Sequence, residues 1–249
     1  MRIDLTDQVA LVTGSAHRVG KRIALELARQ GVHILVHYNG SDADTVRDTL
    51  HEIKSLGVDA FEVQADIGQP EGVDAVMAAL DAHFGRLNIL VNSASVFQRR
   101  HLLDVTLADW ELTMNVNLRS AFLLTQRAAP LMRDNDPLGG AIINIADRGA
   151  LIPSVDYSHH SISKAALLSL SQLSALSLGP EIRVNTVIPG PVMKPPRMDD
   201  AQWAEIGQQT PLKTTGDGDD VARAVAYLAS ESYLTGVVIN VGGGDHLSP

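Results

Sequence analysis

Apolar residues are grouped along the chain in short runs, and longer amphipathic stretches separate these runs. Most of the runs are continuous rather than alternating, which is typical of strands in a parallel sheet covered on both faces. The runs predict seven strands: Val9–Thr13, Val32–Tyr38, Ala60–Gln64, Ile89–Asn92, Ala141–Ala146, Arg183–Ile188 and Val237–Val241. The stretches between them predict six helices: Val19–Gln30, Asp42–Leu56, Glu71–Phe84, Leu107–Met132, Ser161–Leu178 and Asp219–Ser230.

The alternation of strands and helices predicts an α/β fold of the Rossmann type, a doubly wound parallel seven-stranded sheet with helices on both faces. The predicted elements account for almost all 249 residues, so we expect a single domain over residues 1–249. The exception is a segment at about 191–215, rich in Pro, Lys and Asp, with a short amphipathic piece at Trp203–Ile206. It could serve as a substrate loop or lid, and a plain surface connection is an equally good interpretation.

Composition narrows the possible classes of function. Hydrophobic residues make up 45% of the chain, enough for a substantial core. The formal net charge of −9, without a basic block to offset it, makes nucleic acid an unsuitable partner. The absence of cysteine excludes disulfides, thiolate metal sites and thiol catalysis. No apolar run has the length of a signal peptide or a membrane span, so we expect a cytoplasmic protein with no membrane partner.

The turn after the first predicted strand is a candidate phosphate loop. It has the sequence TGSAHRVG at residues 13–20, and a predicted helix begins within it. Glycine allows a tight turn and a close approach of the backbone to a pyrophosphate, and the helix N-terminus adds a favourable field. Many glycine-containing turns of this kind bind nothing, so the loop is weak evidence by itself.

The end of the second predicted strand bears on the choice between NAD and NADP. An acidic residue there would accept hydrogen bonds from the ribose of NAD and repel a 2′-phosphate. This chain has HYNGS at residues 37–41, without a carboxylate, and therefore favours NADP(H), although Asp42 lies just beyond. Ser41 could also be a helix N-cap, with Asp44 at capping-box spacing. The donors and potential cations that could meet the phosphate are His17, Arg18, Asn39 and Ser41.

The motif TGxxx(G/R)xG, together with the features that follow, resembles the short-chain dehydrogenase/reductase family, and the likeness covers essentially the whole chain. Most members have a glycine where this chain has Arg18, and arginine at that place resembles the pteridine reductase branch. Asp66 resembles the family aspartate that caps the adenine pocket. Asn92-Ser93-Ala94-Ser95 stands where the family usually has NNAG, and Pro189-Gly190 resembles the turn beside the nicotinamide.

The resemblance implies a set of cofactor-binding residues that is spread over the ends of several strands. These residues are Gly14, Ser15, His17, Arg18, Val19, Gly20, Tyr38, Asn39, Ser41, Asp66, Ile67, Asn92, Ser93, Ala94, Lys164, Pro189, Gly190 and Val192.

The catalytic pattern of the family is present with two replacements. Family members have a serine, a tyrosine thirteen residues later, a lysine four residues after that, and an asparagine on the preceding long helix. The run SISKAAL at residues 161–167 identifies the lysine as Lys164. His160 then stands in place of the tyrosine and Asp147 in place of the serine, while Asn117 matches the asparagine. Aspartate at position 147 also resembles the pteridine reductases.

His160 is the unexpected member of this set. An imidazole can donate a proton near neutral pH, but it is shorter than a tyrosine side chain. Direct contact with a substrate would need a repositioned substrate or a bridging water. Tyr157 is an alternative donor if its loop shifts. His159 points elsewhere on a helix and no third ligand has suitable spacing, so we expect no metal site.

These features favour an NADPH-dependent, pteridine reductase-like oxidoreductase that reduces a dihydropterin, a dihydrofolate or a small carbonyl substrate by hydride transfer. The alternative is a catalytically lapsed NADP-binding homologue with a regulatory or scaffolding role. The resemblance also implies a homotetramer built through the helices at 107–132 and 161–178, although core packing explains the same apolar pattern equally well. Its candidate face is Ala165, Ala166, Leu167, Leu170, Leu173 and Leu176.

Overall fold

The strands of the computed structural model, which describes residues 2–135 and 139–247, form one parallel sheet. Their order across the sheet is β3-β2-β1-β4-β5-β6-β7. Strands β1 to β3 are added toward one edge and β4 to β7 toward the other, so the strand order reverses between β1 and β4. The predicted Rossmann-type, seven-stranded fold is therefore confirmed. The strands are β1 (Val9–Val12), β2 (His33–Tyr38), β3 (Ala60–Gln64), β4 (Ile89–Asn92), β5 (Gly140–Ile145), β6 (Ile182–Pro189) and β7 (Val238–Val241).

Helices cover both faces of this sheet. They are α1 (Arg18–Arg29), α2 (Ala43–Lys54), α3 (Pro70–His83), α4 (Leu107–Met114), α5 (Ser120–Arg133), α6 (Ser158–Leu178), α7 (Asp200–Gln209) and α8 (Gly218–Ser230).

The helix predicted at Leu107–Met132 is interrupted. A π-helical turn at Asn115–Arg119 separates α4 from α5. A π turn adds one residue to the helical repeat and is frequent at functional sites. Here it lies where Asn117, a predicted catalytic residue, becomes buried. The chain thus continues as a helix while one turn is widened.

The alternation of side chains along the central strands divides the core into two layers. Ala10 and Val12 of β1 face one layer, which includes Ile23 of α1 and Val225 of α8. On the other side, Leu11 of β1 packs in the layer formed with α3 and α5. Because both faces are buried, the strands have the continuous apolar runs that the sequence shows.

Parallel strands end at the same edge of the sheet, and this edge collects the predicted site residues. The loops that follow β1, β2, β3, β4, β5 and β6 all leave the sheet there. In open α/β sheets, ligands bind outside the carboxyl ends of the strands, where the strand order reverses. The reversal between β1 and β4 therefore marks the position of the candidate site.

The segment at 191–215 contains more structure than the short amphipathic piece that was predicted. Its helix α7 begins after Asp199, whose side chain accepts from the N–H of Gln202 in a capping box. The two ends of the segment are joined, since Gly216 N–H donates to Pro191 O at 3.0 Å. Its role as a lid stays a prediction.

The face proposed for tetramer assembly is only partly available. Leu173 and Leu176 are 62% and 84% exposed, whereas Leu167 is 1% exposed and belongs to the interior of the subunit. Leu167 is therefore removed from the predicted contact face, and the homotetramer stays a prediction. In the parts of the chain described above, no helix is both long and apolar enough to cross a membrane.

Leu90 in β4 tests the assignment of the core, because its side chain is fully buried. Leu90→Ala would leave a cavity, so we expect the free energy of unfolding to fall by about 2–5 kcal/mol. Leu103→Ala, at a position that is 86% exposed, is the control and should change it by less than about 0.5 kcal/mol. Urea denaturation followed by circular dichroism measures both, and equal effects would contradict the assignment.

Candidate active site

The phosphate loop is built around two glycines in close contact. Gly14 has a φ of +66°, in the left-handed region that glycine adopts without strain. A side chain at Gly20 would overlap the carbonyl oxygen of Gly14, so the first turn of α1 can approach β1 only when residue 20 is glycine. Arg18 also has a positive φ, +54°, and its side chain is exposed beside the loop. This conformation costs a non-glycine residue roughly 1–2 kcal/mol.

The backbone N–H groups at the start of the loop are already used. Gly14 N–H donates to His37 Nδ1 at 3.1 Å, and Ser15 N–H donates to His37 O at 3.0 Å. The N–H groups of the first turn of a helix have no acceptor within the helix. The first turn of α1, which includes Val19 and Gly20, is therefore the part of the loop suited to a phosphate.

The end of β2 carries a small polar cluster. His17 Nδ1 lies 3.1 Å from Ser41 Oγ, and both residues reach the surface next to Arg18. Asp42, not Ser41, is the N-cap of α2, because it accepts from Thr45 N–H at 2.9 Å and from Thr45 Oγ at 2.8 Å. The capping-box alternative with Ser41 and Asp44 is therefore wrong. These hydrogen bonds from Thr45 lower the pKa of Asp42 and direct its carboxylate toward the helix.

The loop after β3 supplies an exposed carboxylate. Asp66 is exposed, and its Oδ1 accepts from Gly68 N–H at 2.9 Å. The next residue, Ile67, is 4% exposed and packs in the core. Tyr38 is half-buried at the end of β2, and the Asn39 carbonyl accepts from the side chain of Gln64. Asp66 follows β3, which is the neighbour of β2 in the sheet. The structure thus places Asp66 close to the end of β2.

The loop after β4 is held against the phosphate loop. Ser93 N–H and Ala94 N–H both donate to Thr13 Oγ at 2.9 Å. Asn92 is 6% exposed and donates through Nδ2 to Asn144 Oδ1 at 2.8 Å, which joins β4 to β5. The amide nitrogen of Asn92 is therefore committed to the sheet, whereas its buried Oδ1 has no hydrogen-bond partner among the described residues.

The turn after β6 also depends on close backbone packing. Gly190 N–H donates to Val241 O at 2.9 Å, and a Cβ at Gly190 would lie 2.6 Å from the Cα of Gly242. Val192 is 6% exposed and packs in the core. Because Pro189 is the last residue of β6, the sheet fixes the position of this part of the predicted cofactor site.

Asn117 lies at the centre of the predicted catalytic group. Its Oδ1 accepts from Val96 N–H at 2.8 Å and from Ser95 Oγ at 3.2 Å. Its Nδ2 donates to Val96 O at 3.1 Å and to Ser163 Oγ at 3.0 Å. A side-chain amide has two donors and two acceptor positions, so all of its hydrogen-bonding capacity is used. Asn117 thereby ties the loop after β4 to α6.

The contacts of His160 determine which of its nitrogens carries a proton in the neutral form. Nδ1 lies 3.1 Å from Val96 O and 3.3 Å from Asn117 Nδ2. Because both protons of that amide are used elsewhere, Nδ1 is a donor to Val96 O. In the neutral ring Nε2 therefore carries no proton, and it lies 3.6 Å from Asp147 Oδ1.

Asp147 and Lys164 complete the charged part of the site. Burial alone raises the pKa of Asp147, but His160, the N–H of Gly149 and the charge of Lys164 together lower it below its ordinary value. The side chain of Asp147 is 36% exposed, whereas that of His160 is 3% exposed. Asp147 is therefore the member of the pair that faces solvent.

Lys164 lies beneath this pair. Its Nζ donates to Ile145 O at 2.9 Å, at the end of β5. Burial lowers the pKa of Lys164 to about 8, and the negative charge of Asp147 opposes that shift. The lysine is thus predominantly charged at neutral pH and loses its charge in mildly alkaline solution. The four predicted catalytic residues converge at one place.

Phe97 also lies at the candidate site, although no spacing or motif in the sequence indicates it. Its ring is 58% exposed, stacks on Tyr157 at a centroid distance of 4.3 Å, and meets the His160 ring edge-on at 4.6 Å. The only available signal was an aromatic residue in the loop after a strand, which has no periodicity. Tyr157 has no hydrogen bond to Asp147 or Lys164, and it contributes its ring to this stack.

The neighbouring His159 is separate from the site. It is 1% exposed and lines an apolar pocket of about 360 Å³ with Leu102, Trp110 and Ile162. Within residues 2–135 and 139–247, no group of three His, Cys, Asp or Glu residues is arranged to hold a metal ion.

The chain is similar to several known proteins over nearly its whole length. It is 33% identical to the 3-oxoacyl-[acyl-carrier-protein] reductase FabG of Staphylococcus aureus over 245 residues, which cover 96% of this chain and 98% of FabG. The structure resembles a blue fluorescent protein from a metagenomic library in complex with NADPH (TM-score 0.89, 32% identity, 98% of this chain and 99% of the other). It also resembles FolM alternative dihydrofolate reductase 1 from Brucella canis complexed with NADP (TM-score 0.92, 28% identity, 99% and 96%).

These relatives and neighbours identify the chain as an oxidoreductase of the NADP-binding kind, and the family comparison agrees. Residues 14–246 match the family described as enoyl-(acyl carrier protein) reductase. The chain belongs to this family, which is part of the short-chain dehydrogenases/reductases.

The two buried histidines of this edge should have opposite neutral tautomers. His160 donates through Nδ1 to Val96 O, whereas His37 accepts at Nδ1 from Gly14 N–H and therefore carries its proton on Nε2. Long-range ¹H–¹⁵N correlation spectra of the histidine rings distinguish the two forms. A proton on Nε2 of neutral His160 would contradict the hydrogen-bond assignment.

Proposed function

We propose that this protein is an NADPH-dependent reductase of a planar heterocycle, of the dihydropterin or dihydrofolate class. The observation that carries the proposal is the pair of His160 Nε2 and Asp147 Oδ1, 3.6 Å apart, beside the buried Lys164. The likeness to FolM, which is described as an alternative dihydrofolate reductase and was solved with NADP, supports this substrate class. Arg18 and Asp147 support it from the sequence, since both resemble the pteridine reductases.

The residues at the strand ends fit NADP(H). The first turn of α1 offers backbone donors for the pyrophosphate. His17 is hydrogen-bonded to Ser41, and these two residues, with the exposed Arg18 next in the chain, would meet the 2′-phosphate. The carboxylate of Asp42 is occupied by Thr45. Neighbours complexed with NADPH or NADP support the same cofactor.

The other predicted contacts continue along the edge of the sheet. Asp66 would hold the adenine, Lys164 the nicotinamide ribose, and the turn at Pro189-Gly190 the nicotinamide ring. When bound, NADPH supplies the hydride for the carbon atom of the bond that is reduced.

The substrate class is supported by Phe97. An exposed phenyl ring next to the catalytic group offers a flat apolar surface, on which a bicyclic heterocycle can stack. The face of Phe97 turned to Tyr157 is already covered, so the substrate would use the opposite face. A small carbonyl compound would leave most of that surface uncovered, which is why the heterocycle is favoured.

The proton for the reduction comes from the His160–Asp147 pair. Reduction of a C=N bond adds a hydride to carbon and a proton to nitrogen. Neutral His160 carries its proton on Nδ1, held by Val96 O, so a proton that the ring gives to Asp147 is one that it has first taken up at Nε2. Asp147 reaches the solvent side and would relay that proton: its ionised carboxylate accepts the proton from His160 and passes it to the substrate nitrogen, which leaves the carboxylate ionised and the ring neutral. Lys164 keeps its charge beneath the pair and favours the ionised carboxylate.

One observation favours a second candidate function, an NADP-binding protein without turnover. His160 Nε2 is buried, and its 3.6 Å separation from Asp147 is longer than a hydrogen bond. In that case the cofactor residues would be retained for a regulatory or scaffolding role.

Turnover assays distinguish the two candidates. We expect the wild-type protein to oxidise NADPH in the presence of 7,8-dihydrobiopterin or dihydrofolate. Lys164→Met and Asp147→Asn should each lower kcat at least about a hundredfold, because they remove the charge or the proton carrier. Lys54→Met and Asp59→Asn, on exposed parts of α2 and the loop before β3, are the matched controls and should leave kcat unchanged.

The opposite results would also be informative. Tight NADPH binding without oxidation by any of these substrates would favour the lapsed protein. Activity that appears only in His160→Tyr would favour it further, whereas a large loss in that variant would make His160 a working residue. Unchanged turnover in Lys164→Met would contradict the proposed mechanism.

The pH dependence of kcat/KM provides a separate test. The pKa of Lys164 is lowered to about 8, so its ammonium is charged below that pH and neutral above it. Since kcat/KM reports the free enzyme, we expect it to fall as pH rises through about 8. Lys164→Arg keeps the charge and should remove this alkaline limb, even if its overall rate is lower. An identical limb in both proteins would assign it to another group.

A further inference from the structure

We propose that His37 is a positioning residue for the cofactor, whose ring joins the phosphate loop to the adenine loop and thereby sets the affinity for the adenosine half of NADP(H). The inference rests on the proposed binding of NADP(H). It concerns a residue that lies before the predicted phosphate contacts at the end of β2 and that no sequence motif singles out.

The ring of His37 bridges two loops that follow different strands. It is 2% exposed, between β1 and β3 in the sheet. Nδ1 accepts from Gly14 N–H at 3.1 Å, and Nε2 donates to Ala65 O at 3.1 Å. The backbone N–H of an amino acid can only donate, so the tautomer is fixed and both ring nitrogens are satisfied.

The charge state of the ring suits this bridging role. Burial lowers the pKa of His37 to about 4, although the Ala65 carbonyl and the charge of Asp66 both favour the protonated form. A protonated ring could not accept from Gly14 N–H. His37 therefore stays neutral, and the bridge is intact throughout the range in which the protein would work.

The two bridged groups lie beside the two ends of the adenosine site. Gly14 contacts the first turn of α1, since any side chain at Gly20 would overlap its carbonyl oxygen. Ala65 immediately precedes Asp66, the residue predicted to hold the adenine. A shift of either loop would therefore change the distance between the pyrophosphate donors and the adenine carboxylate. His37 fixes that distance without touching the ligand.

Three substitutions separate the contributions of the two ring nitrogens. His37→Phe keeps a ring but removes both hydrogen bonds. His37→Asn keeps an oxygen on Cγ, where Nδ1 is attached, and so retains an acceptor for Gly14 N–H. His37→Gln keeps an amide nitrogen on the δ carbon, where Nε2 is attached, and so retains a donor for Ala65 O.

The matched control is His33→Phe. His33 lies at the other end of β2, and its Nδ1 likewise accepts a backbone N–H, from Asp59 at 2.9 Å. The control therefore loses a comparable hydrogen bond far from the carboxyl edge of the sheet.

The experiment measures the dissociation constants of NADPH and of 2′-phospho-ADP-ribose, which lacks the nicotinamide, by isothermal titration calorimetry. We expect His37→Phe to weaken both ligands by the same factor, at least about tenfold, because it leaves a buried donor and a buried acceptor unpaired. His37→Asn and His37→Gln should each recover part of that loss. His33→Phe should bind both ligands like the wild type, and kcat at saturating NADPH should be unchanged in the His37 variants that turn over.

The amide resonance of Gly14 in the cofactor-free protein gives a readout that does not depend on binding. It should move in His37→Phe and His37→Gln, and remain near its wild-type position in His37→Asn. If His37→Phe does not fold, the Asn and Gln variants carry the test.

Two results would overturn the inference. The first is wild-type affinity for both ligands in all three His37 variants, and the second is an equal loss in His33→Phe. A wild-type protein that binds NADPH but reduces no substrate would overturn the proposed reductase activity alone. His37 would still position the cofactor in that case. A wild-type protein that binds neither ligand would overturn both.

Discussion

The hydrogen bonds of the Asn117 amide are the interaction on which the geometry of the candidate site depends. The amide is buried, and its four hydrogen-bonding positions are used by Ser95, Val96 and Ser163. A buried amide in a site of low dielectric is stabilising only when all of its hydrogen-bonding positions are used. Removing one partner leaves the amide atom to which it was bonded unpaired. The π turn at Asn115–Arg119 makes this possible, because a regular helix would rotate the amide away from the loop after β4. The orientation of His160 follows from the same contacts, since Val96 O also holds its Nδ1.

If His160 has the role that the family resemblance assigns to a tyrosine, as we propose, the proton donor of the site is of a different kind. A tyrosine donor needs a neighbouring cation to become acidic enough, whereas an imidazole is suited to neutral pH without one. Lys164 is nevertheless retained and buried against Ile145 O. The negative charge of Asp147 stabilises the charged form of Lys164, and His160 Nε2 lies 3.6 Å from the same carboxylate. This carboxylate is therefore the electrostatic counterpart of both basic groups.

Much of the fold could be predicted from the sequence, because buried parallel strands impose continuous apolar runs and short connections. The interrupted helix at Leu107–Met132 could not, since a π turn leaves the apolar spacing on either side nearly unchanged. The N-cap of α2 could not be predicted either, because Asp44 lies at capping-box spacing from Ser41 and so favours the wrong residue. Only the structure shows that Asp42 accepts from Thr45.

The candidate site likewise contains residues that the sequence predicts and residues that it does not. Lys164, Asn117 and the glycines follow from spacing and resemblance, and the structure brings their side chains or loops to one edge. Phe97 and His37 have no such pattern: one is an exposed ring on an irregular loop, and the other is a buried histidine in an apolar strand. Their contacts join residues that are 23 to 63 positions apart in the chain, so they emerge only from the folded arrangement.

The hydrogen bond between Gly216 N–H and Pro191 O has a consequence for how this protein could diversify. This hydrogen bond joins the two ends of the segment that contains α7. The sheet before the segment and α8 after it therefore keep their positions whatever residues lie between them. Because the entropic cost of a longer loop grows only slowly once its ends are fixed, insertions and exchanges here would be tolerated well. The segment between Pro191 and Gly216 can therefore change in length and sequence while the sheet and α8 keep their positions.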